Sequence, residues 1–171
     1  MIKFEKIPFE DYYNYYLDQQ EKDAKQGNCY DIDRDEIYRE WEDIKLPKRS
    51  TSGSAGYDFY TPVDLSFSRY DKRYKLIPTG IRFITDRDDI FLLCVPRSGL
   101  GFKYQLHLAN TAGIIDLDYE KHILAKVATY EDCAILKGNA FMQGIIVPFC
   151  KTDDDDSTDT RNGGFGSTDR R

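Results

Sequence analysis

Short apolar runs that recur along most of the chain are the feature that most restricts its fold. From residue 45 onward, turn-forming segments such as Pro-Thr-Gly, Asp-Arg-Asp-Asp and Lys-Gly-Asn separate these runs. Short strands at such spacing predict a β-sandwich or barrel. We find no helical period and no internal repeat in this part, so we expect it to be entirely β. The runs are YKLIPTGIRFI, DIFLLCV, LHLANTAGII, HILAKVATY and AFMQGIIVPF.

The part of the chain before these runs follows two other patterns. Residues 2–7, IKFEKI, alternate apolar and charged side chains, as a half-buried strand does. The next apolar residues follow a helical period, which Gly27 and Asn28 interrupt. A second helix is predicted after Asp33, whose side chain can cap it. The apolar stripe of the first helix consists of Phe9, Tyr12, Tyr13, Tyr16 and Leu17.

The predicted helical segment, residues 9–44, is strongly acidic. It contains 12 Asp or Glu and 4 Lys or Arg, a charge of −8, and the rest of the chain sums to +2. The overall charge of −6 argues against general nucleic-acid binding. The slightly basic remainder suits a ligand that carries phosphate. We expect the aromatic stripe to pack on the β-rich body, and a surface that binds a protein partner is the alternative.

Length and composition predict one globular domain over residues 1–171. Hydrophobic residues make up 40% and aromatic residues 14%, which excludes a disordered chain. No apolar run approaches the roughly 20 residues that cross a bilayer, and the amino terminus lacks the apolar core of a signal peptide. We therefore expect a cytoplasmic protein, or a nuclear one if the host is eukaryotic. Four separated cysteines without a CxxC pair predict reduced thiols, and two histidines are too few for a histidine-based metal site.

The last residues, 149–171, differ in composition from the apolar runs before them. They are polar and glycine-rich, with a run of four aspartates and one aromatic residue after Phe149, which is Phe165. Such a segment cannot bury enough apolar surface to hold itself in a core. We expect a flexible C-terminal arm, which is either a frayed tail or a segment that becomes ordered over a ligand. The aspartate run is expected to be a solvated linker.

Two segments carry acidic residues that point to chemistry. In NTAGIIDLDY, Asp116 and Asp118 share one face if the chain there is extended. A carboxylate at the edge of an apolar pocket can take a proton from water, although a charged hairpin tip would have the same sequence. In GSAGYDFY, small residues precede Asp58, whose carboxylate can orient water on a hard cation.

Two further segments have the composition of phosphate-binding loops. In PRSGLGFK, Arg97 offers a planar fork of donors, Ser98 a hydroxyl, and Gly99 a close approach to the backbone. In GGFGST, backbone N–H groups and two hydroxyls can surround a phosphate, and Phe165 can stack on a base. Each segment alone also fits an ordinary turn.

Taken in order, five segments resemble the five motifs of the trimeric dUTP diphosphatases (dUTPases). The resemblance extends from about residue 45 to residue 168. It implies a mainly β, jelly-roll-like barrel or sandwich, with residues 9–44 as a short helical insertion near the N-terminus. It further implies a homotrimer with shared active sites, which hydrolyses dUTP to dUMP and pyrophosphate with Mg²⁺. The segments are GSAGYDFY, PRSGLGFK, NTAGIIDLDY, KGNAFMQGIIVPF and RNGGFGST.

The resemblance also implies roles for individual residues. Asp116 would be the base that activates the attacking water, and Tyr119 the aromatic residue that packs under deoxyribose and excludes a 2′-hydroxyl. Asp58 would act on the metal through water. Asn110 and the backbone between Asn110 and Tyr119, which includes Gly113, would read uracil, and Phe165 would cover it. Among the other implied substrate-binding residues, the first three would bind phosphate from a neighbouring subunit: Arg97, Ser98, Gly99, Gln143, Arg161, Gly166, Ser167 and Thr168.

The chain departs from the family pattern at several positions. The family usually follows the motif-three tyrosine with one residue and then Gly-Glu, whereas Glu120, Lys121 and His122 follow it here. Ala140 occupies the place of an arginine, and Arg161 lies one residue nearer to the arm phenylalanine than is usual.

Two alternative functions remain open at this point. One is a regulatory protein of the same fold that binds a protein partner through the acidic segment, with nucleotide as the switch. The other is a dCTP deaminase on the same fold. The intact pair Asp116 and Tyr119 favours the diphosphatase.

Overall fold

The computed structural model describes residues 1–28, 30–71 and 73–158. Across these residues the chain forms three helices and eleven strands. The helices are α1 (Phe9–Ala24), α2 (Arg34–Glu42) and α3 (Ser98–Tyr104). The strands are β1 (Ile2–Lys6), β2 (Gly56–Tyr60), β3 (Leu65–Phe67), β4 (Lys75–Pro78), β5 (Ile81–Thr85), β6 (Ile90–Pro96), β7 (His107–Leu108), β8 (Gly113–Ile115), β9 (Leu124–Ala128), β10 (Cys133–Ile135) and β11 (Ala140–Pro148).

All strand pairs in the described residues are antiparallel. The largest sheet has the order β2-β11-β6-β8, and a three-stranded sheet has the order β4-β9-β7. Two further pairs, β1-β5 and β3-β10, complete the body. The sheets enclose one apolar core, because alternate residues of each strand face inward. Its fully buried members include Phe59, Ile77, Leu92, Val127 and Phe141.

This architecture confirms the predicted mainly β fold with helices near the N-terminus. The expectation that everything after residue 45 is β is wrong at α3, which is a short helix directly after β6. Seven residues with two glycines are too few to display a 3.6-residue apolar period, so the sequence pattern could not reveal this helix. No helix within the described ranges is long and apolar enough to cross a bilayer.

The N-terminal segment forms the two predicted helices. Asp33 caps α2, because its Oδ1 atom accepts hydrogen bonds from the backbone N–H of Asp35 at 2.8 Å and of Glu36 at 3.3 Å. Tyr12 of α1 is completely buried, so the prediction that the aromatic stripe packs on the body is confirmed at its centre. Leu17, at the end of the stripe, stays 39% exposed.

A carboxylate joins the two helices to each other. The hydroxyl groups of Tyr12 and Tyr16 on α1 both donate to Oε1 of Glu40 on α2. Burial raises the pKa of the Glu40 carboxyl and of both phenols above their ordinary values. Because the Tyr12 hydroxyl also lies 3.4 Å from the Pro78 carbonyl of the body, this cluster ties both helices to the β-sheets.

Candidate active site

A polar pocket of about 260 Å³ lies at the largest sheet. Asp58 of β2 is the cross-strand partner of Gln143 on β11, and such partners share one face of a sheet. The neighbouring strand β6 ends at Pro96, which brings Arg97 and Ser98 to the same pocket. Three of the five sequence motifs therefore contribute side chains to a single pocket.

The Asp58 carboxylate is held from two sides within this pocket. Its Oδ1 atom lies 3.2 Å from Nε of Arg97, and its Oδ2 atom accepts a 2.7 Å hydrogen bond from the Ser50 hydroxyl. The residue is only 9% exposed. A buried carboxylate needs such partners, because leaving one unpaired is costly. Asp58 and Arg97 thus fix each other's orientation, and the pocket contains both an anionic and a cationic group.

Ser50 and Gly56 are pocket residues that the motif analysis did not single out. The backbones of Lys48 and Asp58 form two mutual hydrogen bonds of 2.9 and 3.3 Å, which fold the intervening segment back and bring Ser50 to Asp58. At Gly56, a Cβ atom would lie 2.4 Å from Oε1 of Gln143. The run of small residues before Asp58 was the sequence signal that could have identified Gly56. That signal indicates a pocket residue only once the pairing of this strand with β11 is known.

The predicted uracil-reading residues Asn110 and Gly113 line a separate, apolar pocket. Gly113 faces Cys94 across the β6-β8 pair, and a Cβ atom on it would come within 3.2 Å of the Cys94 Cβ. The pocket measures about 20 Å³, which is room for about one water molecule. In this conformation the pocket is too small for a uracil ring, so binding of a base there would require the pocket to widen.

The condition under which Asp116 and Asp118 would share one face, an extended chain throughout NTAGIIDLDY, is met only in part. The chain is extended only in β8, and it then turns, with the Tyr119 N–H donating to the Asp116 carbonyl at 3.2 Å. Asp116 and Asp118 therefore do not alternate with their neighbours as strand residues would. The segment is also not a simple hairpin, because β7 pairs with β9 whereas β8 pairs with β6. Each of these two short strands therefore pairs with a longer strand of the body and not with the other.

Asp116 and Tyr119 lie at the two ends of this turn. Asp116 is half-buried directly after β8. Tyr119 is 8% exposed, and its hydroxyl donates to the carbonyl of His122 at 3.0 Å. The Tyr119 side chain borders a cleft beside α1 and is not among the residues lining the 20 Å³ pocket.

The two pockets open on opposite faces of the same sheet. Met142 lines the apolar pocket, and the next residue, Gln143, lines the polar one. Consecutive strand residues point to opposite faces. The groups predicted to hold phosphate and those predicted to hold uracil are therefore separated by β11 within one chain.

Among the residues that the structure describes, Asp58 is the one carboxylate that lines the polar pocket. In the described part of the chain, no cluster of three or more His, Cys, Asp or Glu side chains is arranged to hold a metal ion. The remaining predicted substrate-binding residues lie outside the described residues: Arg161, Phe165, Gly166, Ser167 and Thr168.

Comparison with solved structures places this fold among the dUTPases. The dUTPase of Streptococcus mutans matches with a TM-score of 0.57 and 32% identity, covering 66% of this chain and 91% of that chain. A mutant dUTPase of phage phi11 of S. aureus, whose structure describes the coordination of a structural Mg(II) ion, matches with a TM-score of 0.58 over 71% of this chain and 94% of its own. Its identity is 17%, so this second match concerns the fold alone.

Sequence comparison extends the match from fold to family. The deoxyuridine 5′-triphosphate nucleotidohydrolase of Lactococcus lactis is 37% identical over 135 residues, which are 73% of this chain and 88% of that protein. The family model for dUTPase matches residues 42–169. The chain belongs to the dUTPase family, and the resemblance read from its five motifs is confirmed. Helix α1 lies entirely outside the matched residues.

Proposed function

We propose that this protein is a dUTP diphosphatase, which hydrolyses dUTP to dUMP and pyrophosphate by water attack on the α-phosphorus. The observation that carries the proposal is the convergence of Asp58, Arg97, Ser98 and Gln143 in one polar pocket. These residues come from three separate motifs of a family whose relatives carry this activity in their names. Each would have a distinct task on a nucleoside triphosphate.

The polar pocket would hold the phosphates. A triphosphate carries about four negative charges, and attack at phosphorus requires that they be neutralised. Arg97 supplies a planar cation with several donors, and Ser98 at the start of α3 adds a hydroxyl. Gln143 presents an amide that can donate to a phosphate oxygen. Gly99 has no atom within 4 Å of its Cβ position, which leaves its backbone open to a ligand.

The donor set fits magnesium bound mainly through the substrate. Mg²⁺ is usually held by one or two carboxylates together with phosphate oxygens and water, and Asp58 provides one carboxylate beside the phosphate site. When bound, the ion would neutralise charge on the phosphates. Asp58 would hold a water molecule on that ion, and its bonds to Ser50 and Arg97 would keep the carboxylate oriented.

Asp116 would accept the proton of the attacking water. A positioned general base of this kind contributes roughly 10²–10⁴-fold to a rate, so positioning and charge stabilisation must supply the rest. Asp116 follows the β8 strand that lines the uracil pocket. It would therefore be carried by the chain that binds the base, with the phosphate pocket supplied by a second chain.

A homotrimer with shared sites would bring the two pockets together. Within one chain they open on opposite faces of a sheet, so a substrate bound in one cannot reach the other. Pairing the uracil pocket of one subunit with the phosphate pocket of its neighbour removes this separation. Closed rings are a common solution for such heterologous contacts.

The direct test is to mix the purified protein with dUTP and magnesium and to measure the pyrophosphate released. Parallel reactions contain dTTP, dCTP or UTP. We expect release from dUTP far above that from the other three nucleotides, and its loss when magnesium is chelated. Absence of pyrophosphate from dUTP rejects the proposed function, whereas release of deaminated product from dCTP would favour the deaminase alternative.

Asp116→Asn tests the proposed base. We expect turnover of dUTP to fall by about 10²–10⁴-fold while dUTP binding, measured by calorimetry, is retained. Asp118→Asn, two residues away in the same turn, is the matched control and should keep most of the activity. Equal losses in the two variants would remove Asp116 from its proposed role.

A further inference from the structure

Helix α1 forms one wall of a cleft beside the turn that carries Tyr119. This cleft measures about 480 Å³, and its other wall includes the segment from Tyr119 to His122. Leu124 lines both this cleft and the small apolar pocket. The helix is therefore a direct neighbour of the segment proposed to hold the deoxyribose, although it lies outside the part of the chain that matches the family.

His122 makes the contact between this segment and the helix. The histidine is buried, with 7% of its surface exposed. Its ring lies edge-on to the rings of Tyr12 and Tyr15 on α1, with centroid distances of 5.9 and 5.2 Å. Its Nδ1 atom accepts a 3.3 Å hydrogen bond from the N–H of Gly80. The ring is thus fixed by the helix on one side and by the body on the other.

The same histidine fixes the Tyr119 side chain through its backbone. The Tyr119 hydroxyl donates to the His122 carbonyl at 3.0 Å, so residue 122 helps to hold the phenol ring in its direction. Burial lowers the pKa of His122 to about 4, which keeps the ring neutral and able to accept from Gly80 near neutral pH. The arrangement needs both the ring and the backbone of His122.

We propose that His122 is a positioning residue, through which helix α1 holds the Tyr119 ring in place for selection against a 2′-hydroxyl. The inference rests on the proposed function, because it takes Tyr119 as the surface under the deoxyribose. Two separate departures from the family pattern meet in this contact. The added helix provides Tyr12 and Tyr15, and the altered motif-three exit provides His122.

The physical reason is that sugar selection depends on the exact placement of the tyrosine ring. A ring packed close under the sugar leaves no room for an extra hydroxyl, whereas a ring that moves outward accepts it. A pocket contact of this kind is worth roughly a tenfold or larger difference between related substrates. Loss of the support behind the ring should therefore admit UTP more than it impairs dUTP.

The test uses two variants, each of which removes a different contact that holds the His122 ring. His122→Leu removes the Gly80 acceptor and the aromatic contact, whereas Tyr15→Leu removes the helix ring at 5.2 Å from His122, together with its contact to Tyr16, and keeps the Gly80 hydrogen bond. In each we measure kcat/KM for dUTP and for UTP in the full chain. We expect the ratio of the two values to fall about tenfold. A partly unfolded preparation lowers both values equally, so the ratio reports positioning and not stability.

Tyr13→Leu is the matched control on the same helix. Tyr13 stacks on Phe9 at 5.8 Å and lies under Arg34 of α2, away from His122. We expect its dUTP-to-UTP ratio to equal that of the unaltered protein. An unchanged ratio in Tyr15→Leu, or an equal fall in Tyr13→Leu, overturns the positioning role. If the unaltered protein itself fails to prefer dUTP over UTP, the proposed function fails instead, so the two failures are distinguishable.

Discussion

Gly56 leaves almost no space for a side chain at the polar pocket, which we propose holds the phosphates. Its Cβ position lies 2.4 Å from Oε1 and 3.1 Å from Cδ of Gln143. Gly56→Ala should therefore push the amide away from the proposed phosphate position, and we expect kcat/KM for dUTP to fall roughly ten- to hundredfold, since one hydrogen bond to a charged group is worth roughly 1.5–3 kcal/mol. Steady-state kinetics of the purified variant measures this change.

Gly53→Ala is the control for this substitution. Gly53 precedes the same strand, and a Cβ atom on it meets nothing within 4 Å. Its kinetics should match those of the unaltered protein. A Gly56→Ala protein of undiminished kcat/KM would mean that the Gln143 amide has no part in holding the phosphates.

His122 should make stability depend on pH. Its folded-state pKa is about 4, below the ordinary histidine value, so between pH 6.5 and 4 the unfolded state binds the extra proton. Stability contributed by the neutral ring is complete above about pH 6.5 and is lost as the pH falls to 4, by on the order of 3 kcal/mol. Urea unfolding at a fixed protein concentration across this pH range measures the loss.

His122→Asn separates this titration from the others. Asparagine does not titrate and can still accept a hydrogen bond from Gly80, so the variant should lose less stability than the unaltered protein over the same pH window. The raised pKa of Glu40 acts with the opposite sign, but it is present in both proteins and cancels in the difference. Parallel pH profiles for the two proteins would contradict the assignment.

At the scale of single elements, α2 depends on its N-cap. Asp33 accepts two backbone hydrogen bonds at the start of this nine-residue helix. Asp33→Ala should lower the free energy of unfolding by about 1 kcal/mol, because the first N–H groups of the helix lose their partner. Urea unfolding at one protein concentration measures the difference.

Asp35→Ala is the matched control within the same helix turn. Asp35 is exposed and contributes charge near the helix N-terminus, which is worth only a few tenths of a kcal/mol. Equal losses from the two variants would show that charge at the helix end, and not the cap geometry, stabilises α2.

At the scale of the whole molecule, the separation of the two pockets predicts complementation between subunits. In a trimer with shared sites, an intact site needs Asp116 from one chain and Arg97 from its neighbour. Asp116→Asn and Arg97→Ala chains should each be nearly inactive alone. Refolded together in equal amounts, they should recover about a quarter of the full activity, because random mixing joins the two intact halves at about one site in four.

Refolding each variant alone under the same conditions is the control, and sedimentation of the mixture confirms that trimers have formed. Activity that stays at the level of the separate variants would mean that the site is complete within one chain. That outcome would contradict the shared-site arrangement but not the diphosphatase activity itself.

Much of this protein follows from local sequence. The apolar period identified β1, α1 and α2, and the residue types of five motifs identified the family, because both depend on neighbours along the chain. The N-cap at Asp33 was also predictable, because its hydrogen bonds join residues that are close along the chain. Helix α3 was missed because seven residues with two glycines carry too little periodicity.

Only the tertiary structure determined how the parts of the site are arranged. The clash distance at Gly56 and the convergence of Asp58, Arg97 and Gln143 in one pocket depend on strand register between distant segments. The contact of His122 with α1 joins residues more than a hundred positions apart. Such contacts are determined by packing in three dimensions, which no local pattern of residue types encodes.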